Sequence, residues 1–338
     1  MNLASAVTRV FVALMMVAPA VSAQSGYQIL KQFPIEASDA AKAIVFDEET
    51  QRLFLPRSRE VEVLDANTGV EVGKVSDMPV VQSLVLDPLD HLGMTANGDG
   101  SVTLFDVLSL EKRAKLPVQS ETGFAYFDWN TNRLLAMGEQ TAVIRPGDGK
   151  TIGSIALLGR PLAATDNLLG TIYVVISGRP SLAVINTSQL ALKREMPVPG
   201  CRNPRTVAID ANHKHLFVGC DNHVLVVLDE DSGKRIKSLS LCAGVYTTVF
   251  DPGEDLIVNS CADGRVSFIQ EISGMGFGSA GSVKTKEGSL GMAFDQRNQR
   301  IFVLGKENSS EATSERDPSS EGKQRSTQVV YLIGRPLQ

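Results

Sequence analysis

The chain has 338 residues and a formal net charge of −5, with charged residues making up 21% of the sequence. A mildly acidic chain lacks the basic surface that nucleic acid requires, so we expect no nucleic-acid partner. Beyond the N-terminus, no stretch approaches the roughly 20 apolar residues that a membrane span needs, so no span is expected once a signal is removed.

The N-terminus has the features of a secretory signal peptide over residues 1–23. Arg9 is its only charged side chain, and the apolar run over residues 10–21 is too short to form a spanning helix. Small residues, Val-Ser-Ala at 21–23, occupy the cleavage positions before Gln24. We therefore predict export, to the periplasm or outside the cell, with an uncut N-terminal anchor as the alternative.

One pattern then repeats seven times: an apolar strand that ends in Asp, a polar turn, and further apolar strands. The repeated residues are Asp47, Asp87, Asp128, Asp166, Asp210, Asp251 and Asp295. A period near 40 residues with several short strands per unit is typical of a β-propeller. We predict an all-β, seven-bladed propeller with four-stranded blades. The Asp residues are interpreted as acceptors for their own turns, because one enzyme does not need seven bases.

The first unit shows the predicted blade most clearly, with strands at residues 43–46, 52–55, 61–64 and 70–75. Gly69 provides the positive φ of the hairpin turn before the last of these strands. In the sixth unit, the glycine-rich residues 274–281 are interpreted as an irregular connection between the third and fourth strands, not as a phosphate cradle. The later units begin near Leu84, Phe124, Ala163, Thr206 and Thr247.

The seventh unit is interrupted, and this predicts how the ring closes. After strands at 291–295 and 300–304, residues 307–326 are rich in Ser, Glu and Lys, which favours a disordered loop. A third strand follows at 327–333, and little chain remains for a fourth. Residues 27–34 would supply it, because an all-β ring must leave no unpaired inner edge. Residues 24–338 then form one domain, expected to be monomeric; the alternative is an open six-blade array.

The repeats resemble the YVTN-type β-propeller repeat family, the secreted YncE-like proteins. The second strands read LFLP at 53–56, YVVI at 173–176, FVGC at 217–220, IVNS at 257–260 and FVLG at 302–305. The entry NPRTVAID at 203–210 also matches, and the resemblance covers essentially the whole chain after the signal. The resemblance implies the propeller fold and secretion. It also suggests nucleic-acid binding as a hypothesis, but the acidic net charge argues against that hypothesis.

The four cysteines form two copies of one arrangement in repeat register. Cys201 and Cys242 each lie nine residues before a repeated Asp, whereas Cys220 and Cys261 each lie ten residues after it. We predict disulfides Cys201–Cys220 and Cys242–Cys261, each within one blade. The alternatives are a bridge between blades, Cys220–Cys242, and a four-cysteine metal site.

We expect function on the entry face, defined as the face that carries the loops entering each first strand and the turns from second to third strands. Arginine there could hold a carboxylate or phosphate bidentately. The alternative is that these are solvated loop charges, because both signs are mixed on this face. The candidate ligand-binding residues are Arg160, Arg179, Arg202, Arg205 and Lys286. The acidic residues opposing them are Asp77, Glu121, Glu139, Asp221 and Asp263.

Histidine is scarce, and His213 and His215 are predicted in an exposed polar turn on the opposite face, with weak metal binding as the alternative. We expect no metal, cofactor or catalytic residue. Two hypotheses follow: a non-enzymatic scaffold that binds a protein or a small anionic ligand through the entry face, or a lactonase-like or other hydrolase with its site at the channel mouth. The hydrolase would need convergent carboxylates, histidine or metal there.

Overall fold

The structure is a computed structural model that describes residues 25–37, 39–118, 122–272, 276–289, 291–306 and 326–336. The described chain forms seven four-stranded antiparallel sheets, which are the blades of a seven-bladed β-propeller. The predicted fold is therefore confirmed. The predicted signal peptide, and residues 307–325 of the predicted disordered loop, lie outside the described residues.

The described strands are numbered along the chain, and blade 1 contains β2 to β5. Blades 2 to 6 each take the next four strands, and blade 7 contains β26, β27, β28 and β1. The bounds of the first half are β1 (Gln28–Ala37), β2 (Val45–Asp47), β3 (Arg52–Pro56), β4 (Val61–Asp65), β5 (Glu71–Val75), β6 (Val81–Asp87), β7 (Leu92–Asn97), β8 (Ser101–Asp106), β9 (Lys112–Pro117), β10 (Phe124–Asp128), β11 (Arg133–Met137), β12 (Gln140–Ile144), β13 (Thr151–Ala156) and β14 (Pro161–Asp166). Those of the second half are β15 (Thr171–Ile176), β16 (Ser181–Asn186), β17 (Ala191–Pro197), β18 (Pro204–Asp210), β19 (His215–Cys220), β20 (Val224–Asp229), β21 (Arg235–Ser240), β22 (Val245–Asp251), β23 (Leu256–Cys261), β24 (Arg265–Ile272), β25 (Gly276–Lys284), β26 (Gly291–Asp295), β27 (Arg300–Lys306) and β28 (Ser326–Gly334).

The core lies between the blades. Second strands such as β7 and β19 are buried along their whole length, whereas the outer strand β21 is largely exposed. Seven hydrophobic clusters of described residues each join two neighbouring blades. Continuous apolar strands are expected where both faces of a sheet are covered, which explains the apolar second strands in the sequence.

The ring closes through the N-terminal strand, as predicted. Strand β1 pairs antiparallel with β28, and Phe33 lies opposite Val330 in that register. Tyr27, just before β1, stacks on Phe268 of blade 6 with ring centroids 4.8 Å apart. Blade 7 is therefore built from three C-terminal strands and one N-terminal strand, and β1 covers the edge that β28 would otherwise leave unpaired.

The repeated Asp residues have the structural role predicted for them. All seven are buried, and each accepts a hydrogen bond from a backbone N–H of its own turn. Thr50 N, for example, donates to Asp47 Oδ2 over 3.0 Å. This local bonding fixes the first turn of every blade.

The glycine-rich segment of blade 6 differs from its prediction. The part from Gly276 onward is not an irregular connection but belongs to the outer strand, β25. It pairs with β24, with a register shift between Ser267 and Ile269. An outer strand contacts only one neighbouring strand, so the glycines there are tolerated where an inner strand would need packed side chains.

Among the described residues, no helix has the length and apolar character needed to cross a membrane.

Candidate functional site

Two disulfides lie on the entry face, one in blade 5 and one in blade 6. Cys201 is bonded to Cys220, with Cα atoms 5.5 Å apart, and Cys242 is bonded to Cys261, with Cα atoms 5.9 Å apart. The predicted pairing within each blade is confirmed, and the alternative bridge between blades is wrong. The four-cysteine metal site is also wrong, because sulfurs joined in disulfides are not thiolate ligands.

A cavity of about 600 Å³ opens on the entry face across blades 2, 3 and 4. It lies where the loops before β10 and β14 meet the turns that follow β7 and β11. This is the face on which the sequence predicts function, although the cavity is beside blades without disulfides. Its lining residues are Gln82, Asn97, Gly98, Thr122, Gly123, Gly138, Glu139 and Arg160.

Asn97 provides a rigid polar wall. Its side chain is fully buried, its Oδ1 accepts from Thr95 Oγ1 over 3.0 Å, and its Nδ2 donates to Ser101 Oγ and Thr103 Oγ1 over 3.2 and 3.1 Å. All of these partners lie in blade 2. A buried network of this kind holds its members in one arrangement, so this wall is formed before any ligand arrives.

Arg160 contributes the positive charge of the cavity, and its neighbours place it there. Gly159 before it has φ +150°, a conformation that side-chain-bearing residues rarely adopt, and Pro161 after it begins β14. A Cβ added to Gly123 would lie 3.3 Å from Arg160 Nε. The absence of a side chain at residue 123 therefore leaves room for the guanidinium to lie along the cavity wall.

A second cavity, of about 660 Å³, adjoins the first on the side of blade 1. Gln82 and Gly98 line both cavities, so together they form one polar groove across blades 1 to 4. In the second cavity, Lys115 Nζ lies 2.8 Å from Asp99 Oδ2. Arg59 also lines the second cavity, whereas Arg160 is the cation of the first cavity.

The other predicted binding residues lie elsewhere on the entry face. Arg179 donates to Glu195 Oε1 and to Leu158 O, each over 2.9 Å, and Arg205 Nε lies 3.7 Å from Asp221. Neither of them, nor Arg202 or Lys286, is among the described lining residues of the first cavity. Arg202 N donates to Asn222 Oδ1, Lys286 N donates to Tyr331 OH, and Glu121 lies outside the described residues.

Of the predicted acidic residues, Glu139 is the one that shares the first cavity with Arg160. Asp77 lines the second cavity, and Asp263 pairs with Arg265. The sequence does not indicate Gln82, Asn97 or Thr122 as site residues. Gln82 and Asn97 lie in blade 2 and Thr122 precedes blade 3, and the packing of these two blades brings them together.

On the opposite face, His215 differs from its prediction. It is not in an exposed turn but begins β19, where it is 7% exposed, and its Nδ1 lies 2.6 Å from Glu271 Oε1. His213 does lie in the turn, with Nδ1 2.6 Å from Asp210 Oδ2, a bond that raises the pKa of His213. Burial raises the pKa of Glu271, and the hydrogen bond with His215 opposes that effect.

No family model matches the chain, and the comparison with curated proteins found no match.

Proposed function

We propose that this protein is an exported, non-enzymatic binding protein of the YVTN type that holds a small anionic ligand in the groove on its entry face. The observation that carries the proposal is the cavity of about 600 Å³ in which Arg160 projects among polar side chains and backbone. Pockets that bind small molecules have volumes of about 300–1,000 Å³ and a few well-placed polar groups.

The chemistry of the cavity favours a ligand that carries a carboxylate or phosphate together with hydrogen-bonding groups. Arg160 presents a planar fork of N–H donors that matches either anion. In the described part of the chain, its guanidinium has no ion-pair partner, in contrast to those of Arg179 and Arg205. Gln82 offers an amide, Thr122 a hydroxyl, and Glu139 an acceptor for a donor elsewhere on the ligand.

The concave shape of the groove supports a small ligand over a docked protein. A hydrolase would need carboxylates and a histidine convergent at one point. The described lining of the first cavity includes Glu139 as its carboxylate and no histidine, so it supports binding more directly than hydrolysis. The paired disulfides and the signal-like N-terminus support export to the periplasm or beyond, and the closed ring supports a monomer.

The test is calorimetric titration and thermal shift with a panel of dicarboxylates, sugar phosphates and inorganic phosphate. We expect at least one compound to bind the wild type, Arg160→Ala to weaken binding at least about tenfold, and Arg160→Lys to weaken it less, because the bidentate fork is lost but the charge remains. Gly123→Ala should also weaken binding by displacing Arg160.

Arg205→Ala is the matched control, because Arg205 is a half-exposed arginine of the same face outside the cavity lining. Trp129, the only tryptophan, lines a cavity on the opposite face and should keep its fluorescence when the ligand binds. The proposal is contradicted if Arg160→Ala binds every active compound as tightly as the wild type does. If no compound of the panel binds, an anionic small-molecule function is rejected.

A further inference from the structure

A second site lies on the exit face, defined as the face that carries the turns from first to second strands, here the turn containing Asp210 and His213. A carboxylate oxygen of Asp210, a ring nitrogen of His213 and a carboxylate oxygen of Glu271 all lie within 4.8 Å of one another. Asp210 and His213 belong to blade 5, and Glu271 to blade 6, so the site spans two blades. His213 is half-exposed, which opens the cluster to solvent.

Glu271 has an unsatisfied carboxylate. The residue is 3% exposed, its Oε1 contacts His215 Nδ1 over 2.6 Å, and its Oε2 is buried without a hydrogen-bond partner. A buried carboxylate oxygen without a partner costs free energy, and such groups in native proteins need an explanation. A cation held by this carboxylate through Oε2 as well as Oε1 would provide one, because carboxylates can bind metal ions through both oxygens.

Blade 5 contains an equivalent glutamate, Glu230, with which the hydrogen bonding of Glu271 can be compared. Glu230 occupies the same position in blade 5, since its backbone N donates to Lys214 O over 2.8 Å just as Glu271 N donates to Asp255 O over 2.9 Å. The Oε1 of Glu230 accepts hydrogen bonds from Tyr173 OH and Asn167 Nδ2, over 2.8 and 2.7 Å. Blade 4 thus supplies neutral donors to Glu230, whereas blade 5 supplies histidines to Glu271.

Hydrogen bonds and packing hold the side chains of Asp210 and His215 in place. Asp210 Oδ1 accepts from the backbone N–H groups of Asn212 and His213, which leaves Oδ2 directed at the His213 ring. His215 is fixed by its contact with Glu271 and by packing near Phe277, with ring centroids 5.9 Å apart. Hydrogen bonds to a ligating carboxylate are the usual support around protein metal ions.

We propose that Asp210, His213 and Glu271 bind one divalent transition-metal ion, such as Zn²⁺, and that His215 positions the Glu271 carboxylate. Imidazole and carboxylate are both good zinc ligands, and bonds of about 2.0–2.2 Å in a tetrahedron place neighbouring ligand atoms about 3.3 Å apart. His213 Nδ1 lies 2.6 Å from Asp210 Oδ2 and 4.0 Å from Glu271 Oε1, and these two distances bracket that spacing. Three protein ligands leave the fourth position to water.

The test is titration of the untagged, chelator-treated protein with Zn²⁺ in a calorimeter, with metal analysis after dialysis. The wild type should bind one ion per chain at this site and unfold at a higher temperature with Zn²⁺ than without it. His213→Ala should weaken binding at least about tenfold, and because His213 is half-exposed this variant should fold. Glu271→Gln should weaken binding similarly while keeping a hydrogen-bonding group beside His215.

Two variants serve as matched controls. Glu230→Gln changes the equivalent buried glutamate, and His91→Ala removes a partly exposed histidine whose Nδ1 lies 3.2 Å from Glu49 Oε2. Both should bind Zn²⁺ as the wild type does. The inference is overturned if the wild type binds no Zn²⁺, or if His213→Ala binds it with unchanged affinity and stoichiometry. If Glu271→Gln does not fold, the Zn²⁺ affinity of His213→Ala alone decides whether the site exists.

Discussion

The side-chain amide of Gln328 bonds to both backbone groups of Ala41, 287 residues away. Ala41 N donates to Gln328 Oε1 over 2.6 Å, and Gln328 Nε2 donates to Ala41 O over 3.0 Å. Both residues are 1% exposed. Gln328 lies on β28 and Ala41 precedes β2, so this pair joins the last blade to the first and adds to the closure made by β1.

Gln328→Ala should destabilise the ring. The change leaves a buried backbone N–H and C=O without partners, which costs about 2–4 kcal/mol of unfolding free energy. Urea unfolding followed by the fluorescence of Trp129 measures the loss. Gln189→Ala, at an exposed turn position, should change the midpoint little. Equal midpoints for Gln328→Ala and the wild type would show that the closure does not depend on this pair.

Gly93→Ala should destabilise blade 2. Gly93 on β7 lies opposite Phe105 on β8, and a Cβ added to Gly93 would lie 2.0 Å from Phe105 Cζ. Phe105 is fully buried, so it has no room to move, and overpacking of this kind costs about 1–3 kcal/mol. Thermal unfolding measures the effect. Gly147→Ala is the control, because a Cβ added there meets nothing within 4 Å; equal losses in the two variants would contradict the packing argument.

Removing either disulfide should lower the free energy of unfolding by about 3 kcal/mol, because each closes a short loop in the unfolded chain. The sequence separation is 19 residues in both, so the double variants Cys201→Ser/Cys220→Ser and Cys242→Ser/Cys261→Ser should lose similar amounts. Urea unfolding with and without reductant provides the measurement. Reductant should lower the unfolding midpoint of the wild type but not that of a variant in which all four cysteines are replaced by serine. If reductant leaves the wild-type midpoint unchanged, the disulfides do not stabilise the fold.

The ionised carboxylate of Asp106 should stabilise the fold at neutral pH, and this stabilisation should be lost in acid. The backbone N–H of Ser109, followed by Arg113, lowers the pKa of Asp106 from 3.8 to about 2. Because the pKa in the folded state lies below that of the unfolded state, the stabilisation is complete above about pH 4 and is lost as the pH falls towards 2.

Comparison of Asp106→Asn with the wild type checks this. The variant should be less stable by about 1 kcal/mol at pH 6, and the difference should shrink towards pH 2. Glu111→Gln removes a nearby carboxylate whose side chain has no described hydrogen bond or ion pair, and it should show little change at either pH. A difference for Asp106→Asn that is as large at pH 2 as at pH 6 would contradict the assignment.

Most of the fold could be predicted because its signals are local and repeated. The alternation of apolar strands and Asp turns recurs seven times, and the number of blades follows from it. The closure could be predicted from a missing outer strand, because an unpaired edge is costly. The disulfide pairing followed from repeat register, since Cys201 and Cys220 occupy the same positions in blade 5 as Cys242 and Cys261 do in blade 6.

The candidate sites needed the tertiary structure. Five basic residues looked equivalent in the sequence, yet the order of the blades places Arg160 in the groove. Strand pairing within blade 4 places Arg179 beside Glu195. The sequence alone determined that this chain closes into seven blades with a loop-rich face, because each blade repeats the same local pattern. Only the packing of blade 6 against blade 5 decided that Glu271 meets His213 and His215, 56 or more residues away, because contacts between blades depend on the angle and register at which two sheets pack.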